Sequence, residues 1–362
     1  MKKRVVVAMS GGVDSSVSAL LLKEQGYEVV GMTMCFNLAS ANRKRPVCCG
    51  LEGIEDSRRI AHKLGIKHYV VNMRKALEEK IIRDFCSEYL KGRTPNPCVR
   101  CNQYLKFDAL LKKAQAADAP YFATGHYARI TPNRYGFELR KAKDLSKDQS
   151  YFLYRLKQNQ LKHILFPVGD YTKAEVREMA HRFGLAVAGK KESQEICFLP
   201  QDDYRPFLKA YLKKKIKPGE IVDKEGNILG QHKGIAFYTI GQREGLGIAW
   251  AHRLYITAIN HRKNQIIVGA KEEAFKKEFL VTEPSFILPP PKKRVVLMVR
   301  IRYNHKEAPA YLQPVGDKIK VVFKNPQFAI TPGQSAVFYD RDSIVGGGII
   351  DEVSECGTQL IR

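Results

Sequence analysis

Ser10-Gly11-Gly12-Val13-Asp14-Ser15-Ser16 is the stretch whose reading decides the fold. Before it, residues 4–9 (RVVVAM) form a β-branched run, and after it residues 17–25 carry a helical pattern stopped by Gly26. Strand, glycine turn and helix in that order bring a helix N-terminus to the turn. Glycines let the backbone approach an anion closely, and the unpaired N–H groups of the first helical turn point at it. Ser10, Ser15 and Ser16 add hydroxyl groups, and Asp14 is a candidate ligand for a magnesium ion that neutralises phosphates. The closing Gly-Lys-Ser/Thr of a Walker loop is absent. A bare Ser-Gly-Gly would read as an ordinary capped turn; the full Ser-Gly-Gly-x-Asp-Ser pattern on the first strand favours a nucleotide.

Outward from this loop the first half alternates strand and helix patterns. Residues 28–34 read as a second strand, 55–64 as a helix closed by Gly65, and 68–73 as a third strand. Leu77, Ile81, Ile82, Phe85, Tyr89 and Leu90 form an apolar stripe at helical spacing that ends at Gly92. Residues 121–129 read as one further strand, and Thr172 with Glu175 makes a capping box for a helix burying Val176, Met179, Ala180 and Phe183. This order predicts an α/β domain with a mostly parallel, doubly wound sheet. From about Gly219 turn signals crowd together, and after Glu278 strands dominate, with Gly316-Asp317 as a hairpin turn between 310–315 and 319–323. The expected division is a catalytic domain over 1–204, a small central domain over 205–276 and a C-terminal β-barrel over 277–362.

The 362 residues carry 61 Lys and Arg against 37 Asp and Glu, a net charge of +24. Such an excess attracts a polyanion, nucleic acid before an anionic membrane, although a Lys-rich set of solvated faces would give the same count. At 44% hydrophobic the chain has material for cores, which excludes disorder as its main state. The longest apolar runs are too short to span a membrane, and only five apolar residues separate the basic start from Ser10, too few for a signal segment. A cytoplasmic location is therefore expected. In that compartment the eight cysteines (35, 48, 49, 86, 98, 101, 197 and 356) point to metal, redox or nucleophilic use rather than to a disulfide framework.

Two cysteine segments stand out. Gly92-Arg93-Thr94-Pro95-Asn96-Pro97-Cys98-Val99-Arg100-Cys101-Asn102 sets two thiols three residues apart beside arginines, and Lys190-Lys191-Glu192-Ser193-Gln194-Glu195-Ile196-Cys197-Phe198 sets a third near lysines. Cationic neighbours favour the thiolate, the reactive form. On the residues alone, Cys98 and Cys101 read equally as a zinc half-site, and Cys197 between Ile196 and Phe198 reads as a small core residue. Cys48 and Cys49 read as structural, and Cys35, Cys86 and Cys356 as packing residues.

Ser10 to Ser16 resembles the pyrophosphatase loop of the ATP-cleaving family that includes lysidine synthetase, GMP synthetase and argininosuccinate synthetase. With RTPNPCVRCNQYLKF, TGHYARI, KDQSYFLY, SQEICF, GQREGLGI and TPGQSAVFY, the whole chain resembles the tRNA-uridine 2-sulfurtransferases, in order and nearly end to end. The resemblance implies an adenine nucleotide alpha hydrolase-like catalytic domain, a small central domain and a β-barrel that grip tRNA, and conversion of the wobble uridine to 2-thiouridine with ATP. It implies that Ala8, Met9, Ser10, Gly11, Gly12, Val13, Asp14, Ser15, Met34 and Gly125 hold ATP and Mg2+. Cys197 would carry a persulfide, received from a cysteine desulfurase or a sulfur-relay protein. Cys101 would be its partner, freeing the sulfur by forming a disulfide with Cys197 or attacking the base itself.

Many members have Asp where this chain has Cys98. Cys98, Cys101 and Cys197 thereby resemble the three-thiol set of related tRNA thiolases that hold a 4Fe-4S cluster, so iron-bound sulfide is the alternative sulfur source. For the tRNA anticodon region the resemblance implies contacts from Asn96, Pro97, Cys98, Lys147, Asp148, Gln149, Arg302, Tyr303 and Gln334, while His126, at a strand end beside Gly125, is a candidate to stack on or hydrogen-bond the nucleotide. Residues 289–306 hold Lys292, Lys293, Arg294, Arg300, Arg302 and Lys306 with no acidic residue. Residues 295–303 read as a strand, so Arg300 and Arg302 share one face while Tyr303 falls on the other. The run Lys213-Lys214-Lys215 with Lys217 reads as solvated. Two rival readings are another tRNA enzyme with the same loop, such as a lysidine synthetase, which has no use for Cys101 or Cys197, and an iron–sulfur protein that binds tRNA without modifying it.

Overall fold

The structure is a computed structural model that describes residues 3–36, 51–190, 196–199 and 203–353. Cys48, Cys49, Cys356 and the stretch 191–195 lie outside the described residues. The chain divides into two compact units. The first comprises Met1–Ile81, Pro97–Asp202 and Asp342–Ile344, and the second Ile82–Asn96, Asp203–Arg341 and Val345–Arg362.

In the first unit, β1 (Arg4–Ala8), β2 (Glu28–Cys35), β3 (Lys67–Asn72), β4 (Tyr121–Ala123), β5 (Ala128–Asn133), β6 (Gly136–Lys141) and β7 (Ile164–Leu165) follow in chain order. Five of them make an all-parallel sheet in the order β3-β2-β1-β4-β7, while β5 and β6 pair as an antiparallel hairpin. β1 is central, and Val5, Val6 and Val7 are almost wholly buried, as a strand covered on both faces requires. Its core includes Val17, Leu20, Val29, Ile60 and Val176, drawn from three helices as well as the sheet. The chain winds outward from β1 to β3 and then returns to lay β4 on the other side of β1. The order therefore reverses between β1 and β4, and outside the carboxyl ends at such a reversal is where sheets of this kind bind ligands.

Two sequence expectations shift here. The first helix is Val13–Glu24, beginning inside the glycine loop rather than after it. Residues 121–129 are two strands, not one, because Thr124-Gly125-His126 leaves the sheet between β4 and β5. Gly125 explains the break: a Cβ there would lie 2.6 Å from the Ser15 backbone nitrogen and 2.7 Å from the Asp14 carbonyl carbon. The strand end turns aside to abut the loop. The Thr172 capping box forms as expected, with Glu175 N–H donating to Thr172 Oγ1 at 3.3 Å and Thr172 N–H to Glu175 Oε2 at 2.5 Å.

In the second unit, β8 (Gly219–Val222), β9 (Ile228–His232), β10 (Tyr255–Asn260) and β11 (Gln265–Gly269) form a sheet in the order β10-β11-β8-β9 around Ile221, Ile256, Ile266 and Val268. Helix Arg83–Leu90 belongs with this unit, where Tyr89 stacks on Tyr204 at 4.5 Å between ring centroids. Then β12 (Phe275–Phe286), β13 (Val295–Arg300), β14 (Ala308–Val315), β15 (Lys318–Phe328), β16 (Ser335–Asp340) and β17 (Ser343–Val353) run β12-β15-β14-β13-β16-β17. The pairing of β12 with β17 closes them into a barrel, which removes both sheet edges. Alternate residues such as Phe279, Val281, Leu312, Val321 and Phe323 fill its interior. Gly316, at φ +58°, makes the two-residue turn joining Val315 to Lys318. No helix among the described residues is long and apolar enough to cross a membrane.

Candidate active site

The loop after β1 is braced by its own serines. Ser15 Oγ donates to the Gly12 carbonyl at 3.1 Å and accepts the Ser10 N–H at 3.2 Å, and Ser16 Oγ donates to the Gly12 carbonyl at 2.8 Å. Gly11 takes φ +73°, a backbone state that L side chains rarely adopt, and has the Gly53 carbonyl oxygen close behind it. Gly12 is the N-cap of helix Val13–Glu24 and has no side chain with which to cap the first-turn N–H groups, which suits that turn to an anion. Met9 and Val13 beside the loop are buried in the core, which leaves them only backbone groups to offer a ligand, and Ala8 is partly exposed. Met34, 8% exposed near the end of β2, stands in the sheet next to β1.

Asp14 is not an open metal ligand. Lys173 Nζ donates to both of its carboxylate oxygens, at 2.6 and 2.8 Å, and Tyr127 OH donates to Oδ1 at 2.8 Å. Lys173 is the first residue of helix Lys173–Arg182 and is 8% exposed although charged. Sequence reading missed it, because a lysine just after a capping Thr looks like a solvated first-turn residue. The signal that could have found it is the Asp14 charge, which a partly buried site obliges to be matched. A magnesium ion at Asp14 would have to share the carboxylate with this ammonium. Asp14 and Lys173 together leave the loop electrically neutral before any phosphate arrives.

Several residues expected to meet substrate are tied into the protein. His126 is buried, its ring held between Thr124 Oγ1 at 2.7 Å on Nδ1 and Lys106 Nζ at 3.4 Å on Nε2, with Phe107 and Phe166 against it. Burial first, and the Lys106 charge second, hold its pKa well below the usual 6.5, so the ring is neutral. With the ammonium donating to Nε2, the proton sits on Nδ1 and is given to Thr124. Asp148, 3% exposed, accepts from the Ala142 and Ser150 N–H groups and from Ser150 Oγ. Gln149 accepts the Tyr127 N–H on Oε1, while Lys147 is half-buried in the turn from Asp144. Of the three, Asp148 is buried while Lys147 and Gln149 are partly exposed.

Cys98 and Cys101 lie on the short helix Pro97–Cys101, three residues apart and so on one side of it. Cys101 is 7% exposed and Cys98 partly exposed. Cys197 is partly exposed in a turn closed by the Leu199 N–H donating to the Ile196 carbonyl, with the buried Phe198 ring as its anchor. Among the described residues no group of three His, Cys, Asp or Glu side chains stands where it could hold a metal ion. The three thiols are therefore not gathered as ligands, and the 4Fe-4S alternative does not fit the arrangement of this site.

In the second unit the residues before Pro97 are pinned. Arg93 donates to Glu88 and Asp351 at 2.6 Å each, the Thr94 N–H donates to the Pro332 carbonyl, and Gln334 Nε2 donates to the Thr94 carbonyl at 2.9 Å. Gln334 thus has a structural task that its sequence context did not reveal. β13 ends at Arg300, and Arg302 and Tyr303 fall in the turn that follows. This removes the conflict of strand parity at Tyr303. Arg302 donates to the Phe328 carbonyl at 2.6 Å, and the Arg300 guanidinium lies 5.3 Å from the Tyr303 ring centre. Asn96, half-buried, is the last residue of this segment in the second unit.

Known proteins resemble the chain throughout. Three family models match in succession: the tRNA methyl transferase HUP domain over residues 3–201, the tRNA methyl transferase PRC-barrel domain over 205–270, and the aminomethyltransferase beta-barrel domain over 276–350. The tRNA-specific 2-thiouridylase MnmA of Clostridium acetobutylicum is 51% identical over 97% of this chain and 100% of its own length. The chain belongs to the tRNA-specific 2-thiouridylase family. MnmA 1 of Caldanaerobacter subterraneus subsp. tengcongensis is 51% identical over 97% of this chain and 99% of its own, and MnmA of Halothermothrix orenii 51% identical over 96% and 99%. Membership of the 2-thiouridylase family accounts for the shape already described: a HUP-type parallel sheet with its nucleotide loop, followed by a small β-sheet domain and a closed barrel.

Proposed function

We propose that the chain is an ATP-dependent tRNA-uridine 2-sulfurtransferase that converts the wobble uridine of tRNA anticodons to 2-thiouridine. The observation that carries this reading is the company the loop keeps. A loop suited to a triphosphate sits at the sheet reversal, and both nucleophile-bearing segments belong to the same compact unit, in a chain half identical to 2-thiouridylases from end to end. Methyl transfer, the reaction in the family model's description, has no use for such a loop.

The chemistry requires each part. A uridine C2 carbonyl resists substitution because oxide is a poor leaving group. Attack of O2 on the α-phosphorus of ATP releases pyrophosphate and turns that oxygen into part of AMP, which leaves readily. Backbone N–H groups of the loop from Ser10 to Ser15 bind the phosphates, and Lys173 offsets the charge of Asp14 as they approach. A bound Mg2+, held beside Asp14, would supply positive charge to screen the triphosphate. Cys197 carries the terminal persulfide sulfur, delivered by a desulfurase or sulfur-relay partner. Attack of the Cys101 thiolate on the Cys197 sulfur forms the Cys101–Cys197 disulfide and releases HS⁻, which displaces AMP from C2; a thiol reductant then resets both cysteines. Residues 1–204 perform this chemistry, while 205–276 and 277–362 hold the tRNA, with Asn96, Pro97 and Cys98 nearest the base. Arg302 and Tyr303 serve on the barrel, and the +24 charge draws the polyanion in.

The test is a reconstituted reaction of an unmodified tRNA transcript, Mg-ATP, and a cysteine desulfurase with cysteine, read by mass spectrometry of the nucleosides. The expected products are 2-thiouridine at the wobble position with AMP and pyrophosphate in step. Lysidine, or intact uridine with no AMP, would overturn the proposal.

A further inference from the structure

Asp56 lies directly behind the phosphate loop. A Cβ on Gly11 would be 2.5 Å from the Gly53 carbonyl oxygen and 3.1 Å from Asp56 Cβ, so the first half of helix Leu51–Lys63 is the loop's backing. The Asp56 carboxylate is nearly buried and divided between two cations. Arg59 Nη2 donates to Oδ1 at 2.7 Å, and Lys190 Nζ donates to Oδ2 at 2.7 Å. Lys190 also lies 3.2 Å from Glu52 on the same helix. Its backbone is fixed as well, since its N–H donates to the carbonyl of Val187, a residue 2% exposed. Burial lowers the Lys190 pKa, but the bonds and charges of Asp56 and Glu52 outweigh it and raise the pKa, keeping the ammonium charged.

The position of Lys190 in the chain gives the pair its meaning. Cys197 follows seven residues later, a stretch that reaches at most about 25 Å when fully extended. The nucleotide loop, its backing helix and the root of the Cys197 segment are thus joined through one ammonium group. A surface lysine ordinarily keeps its head in water. This one is folded back onto the carboxylate of a residue packed so close behind the loop that a Cβ on Gly11 would crowd it.

We infer that Lys190 and Asp56 form a positioning pair for sulfur delivery, holding the root of the Cys197 segment in register with the nucleotide loop. The inference deepens the proposed function and rests on Cys197 as the sulfur carrier. Lys190 touches no reacting atom. Its role is to place the sulfur donor where the adenylated uridine forms, so its loss separates the two halves of the reaction.

The experiment measures AMP and 2-thiouridine in the same reaction for the wild-type chain and for Lys190→Met, Lys190→Gln and Lys190→Arg, with desulfurase and cysteine as the sulfur source. Lys190→Met and Lys190→Gln are expected to form AMP within about twofold of wild type, because water displaces AMP from the adenylated uridine and restores uridine where sulfide does not arrive. Their 2-thiouridine is expected about tenfold more slowly, as for a reacting group displaced by less than ~1 Å, so AMP per thiolation rises. Lys190→Arg, which keeps the charge and the reach, is expected to restore the wild-type ratio. An unchanged ratio of AMP to 2-thiouridine in Lys190→Met and Lys190→Gln, whether both rates fall or neither does, overturns the inference, as does a Lys190→Arg chain no better than Lys190→Met. A wild-type chain that makes no 2-thiouridine overturns the functional reading, and this inference with it.

Discussion

Lys173→Met is the sharpest perturbation of the nucleotide loop. Lys173 Nζ lies 2.6 and 2.8 Å from the two Asp14 oxygens, with the lysine side chain 10% exposed and the carboxylate 29%. Removing the ammonium leaves Asp14 uncompensated beside the phosphates. At an effective dielectric of ~20, one unit charge about 5 Å from a phosphate charge contributes about 3 kcal/mol of repulsion. That corresponds to roughly a 10²-fold loss of Mg-ATP affinity. The same substitution destabilises the fold by less than the about 3–5 kcal/mol typical of breaking a fully buried pair, because Asp14 still reaches solvent. Isothermal titration with Mg-ATP, beside a thermal melt, separates the two effects. The double variant Asp14→Asn/Lys173→Met removes both charges and is expected to recover much of the affinity, a coupling that single variants do not reveal. A Lys173→Met chain that binds Mg-ATP within twofold of wild type would refute the reasoning. So would a double variant weaker than the sum of the single ones.

Other consequences follow from the same structure. Cys197→Ser and Cys101→Ser are each expected to abolish 2-thiouridine formation while tRNA affinity in a filter-binding assay stays within about twofold, because neither thiol carries binding charge. Retained thiolation by either variant would remove that residue from the mechanism. About six phosphate contacts would weaken tRNA binding on the order of 10³-fold between 50 and 200 mM salt, and a flat dependence would mean that the excess charge serves something else. His126 supplies a pH signature. Its folded pKa lies below the unfolded value near 6.5, so below that pH the unfolded chain binds the extra proton and the fold loses stability. The melting temperature is expected to fall as pH drops from 7 to 5, and His126→Gln is expected to flatten part of that slope. An unchanged slope would place the ring in contact with solvent.

Much of the fold was legible along the chain because it is written in local terms. β1 shows as an unbroken valine run because both of its faces are covered, and Thr172 with Glu175 marks a helix start because the two groups satisfy each other's backbone donors. The strand 121–129 was misread for a tertiary reason. Its residues suit a strand, yet Thr124-Gly125-His126 must turn aside where Gly125 meets Ser15 and Asp14, and a contact more than a hundred positions away leaves no periodic trace. Arg302 and Tyr303 failed in the same way, since an alternating pattern continues past the point where β13 stops.

The sequence by itself determined the class of chemistry. A glycine–serine turn between a strand and a helix specifies a nucleotide through residue type and spacing, whereas the cysteines, read alone, stayed open between ligand, core and nucleophile and took a sulfur role only from the resemblance of the segments around them. Only the tertiary structure decided how those groups are held. It matched Asp14 with Lys173, enclosed His126 as a neutral ring, gave Gln334 to the Thr94 carbonyl and joined Lys190 to the backing of the phosphate loop. The physical reason is one of range. Backbone geometry and periodic burial act over a few residues and can be read in order, whereas the matching of a buried charge or polar group depends on whichever distant residue folding brings within about 3 Å.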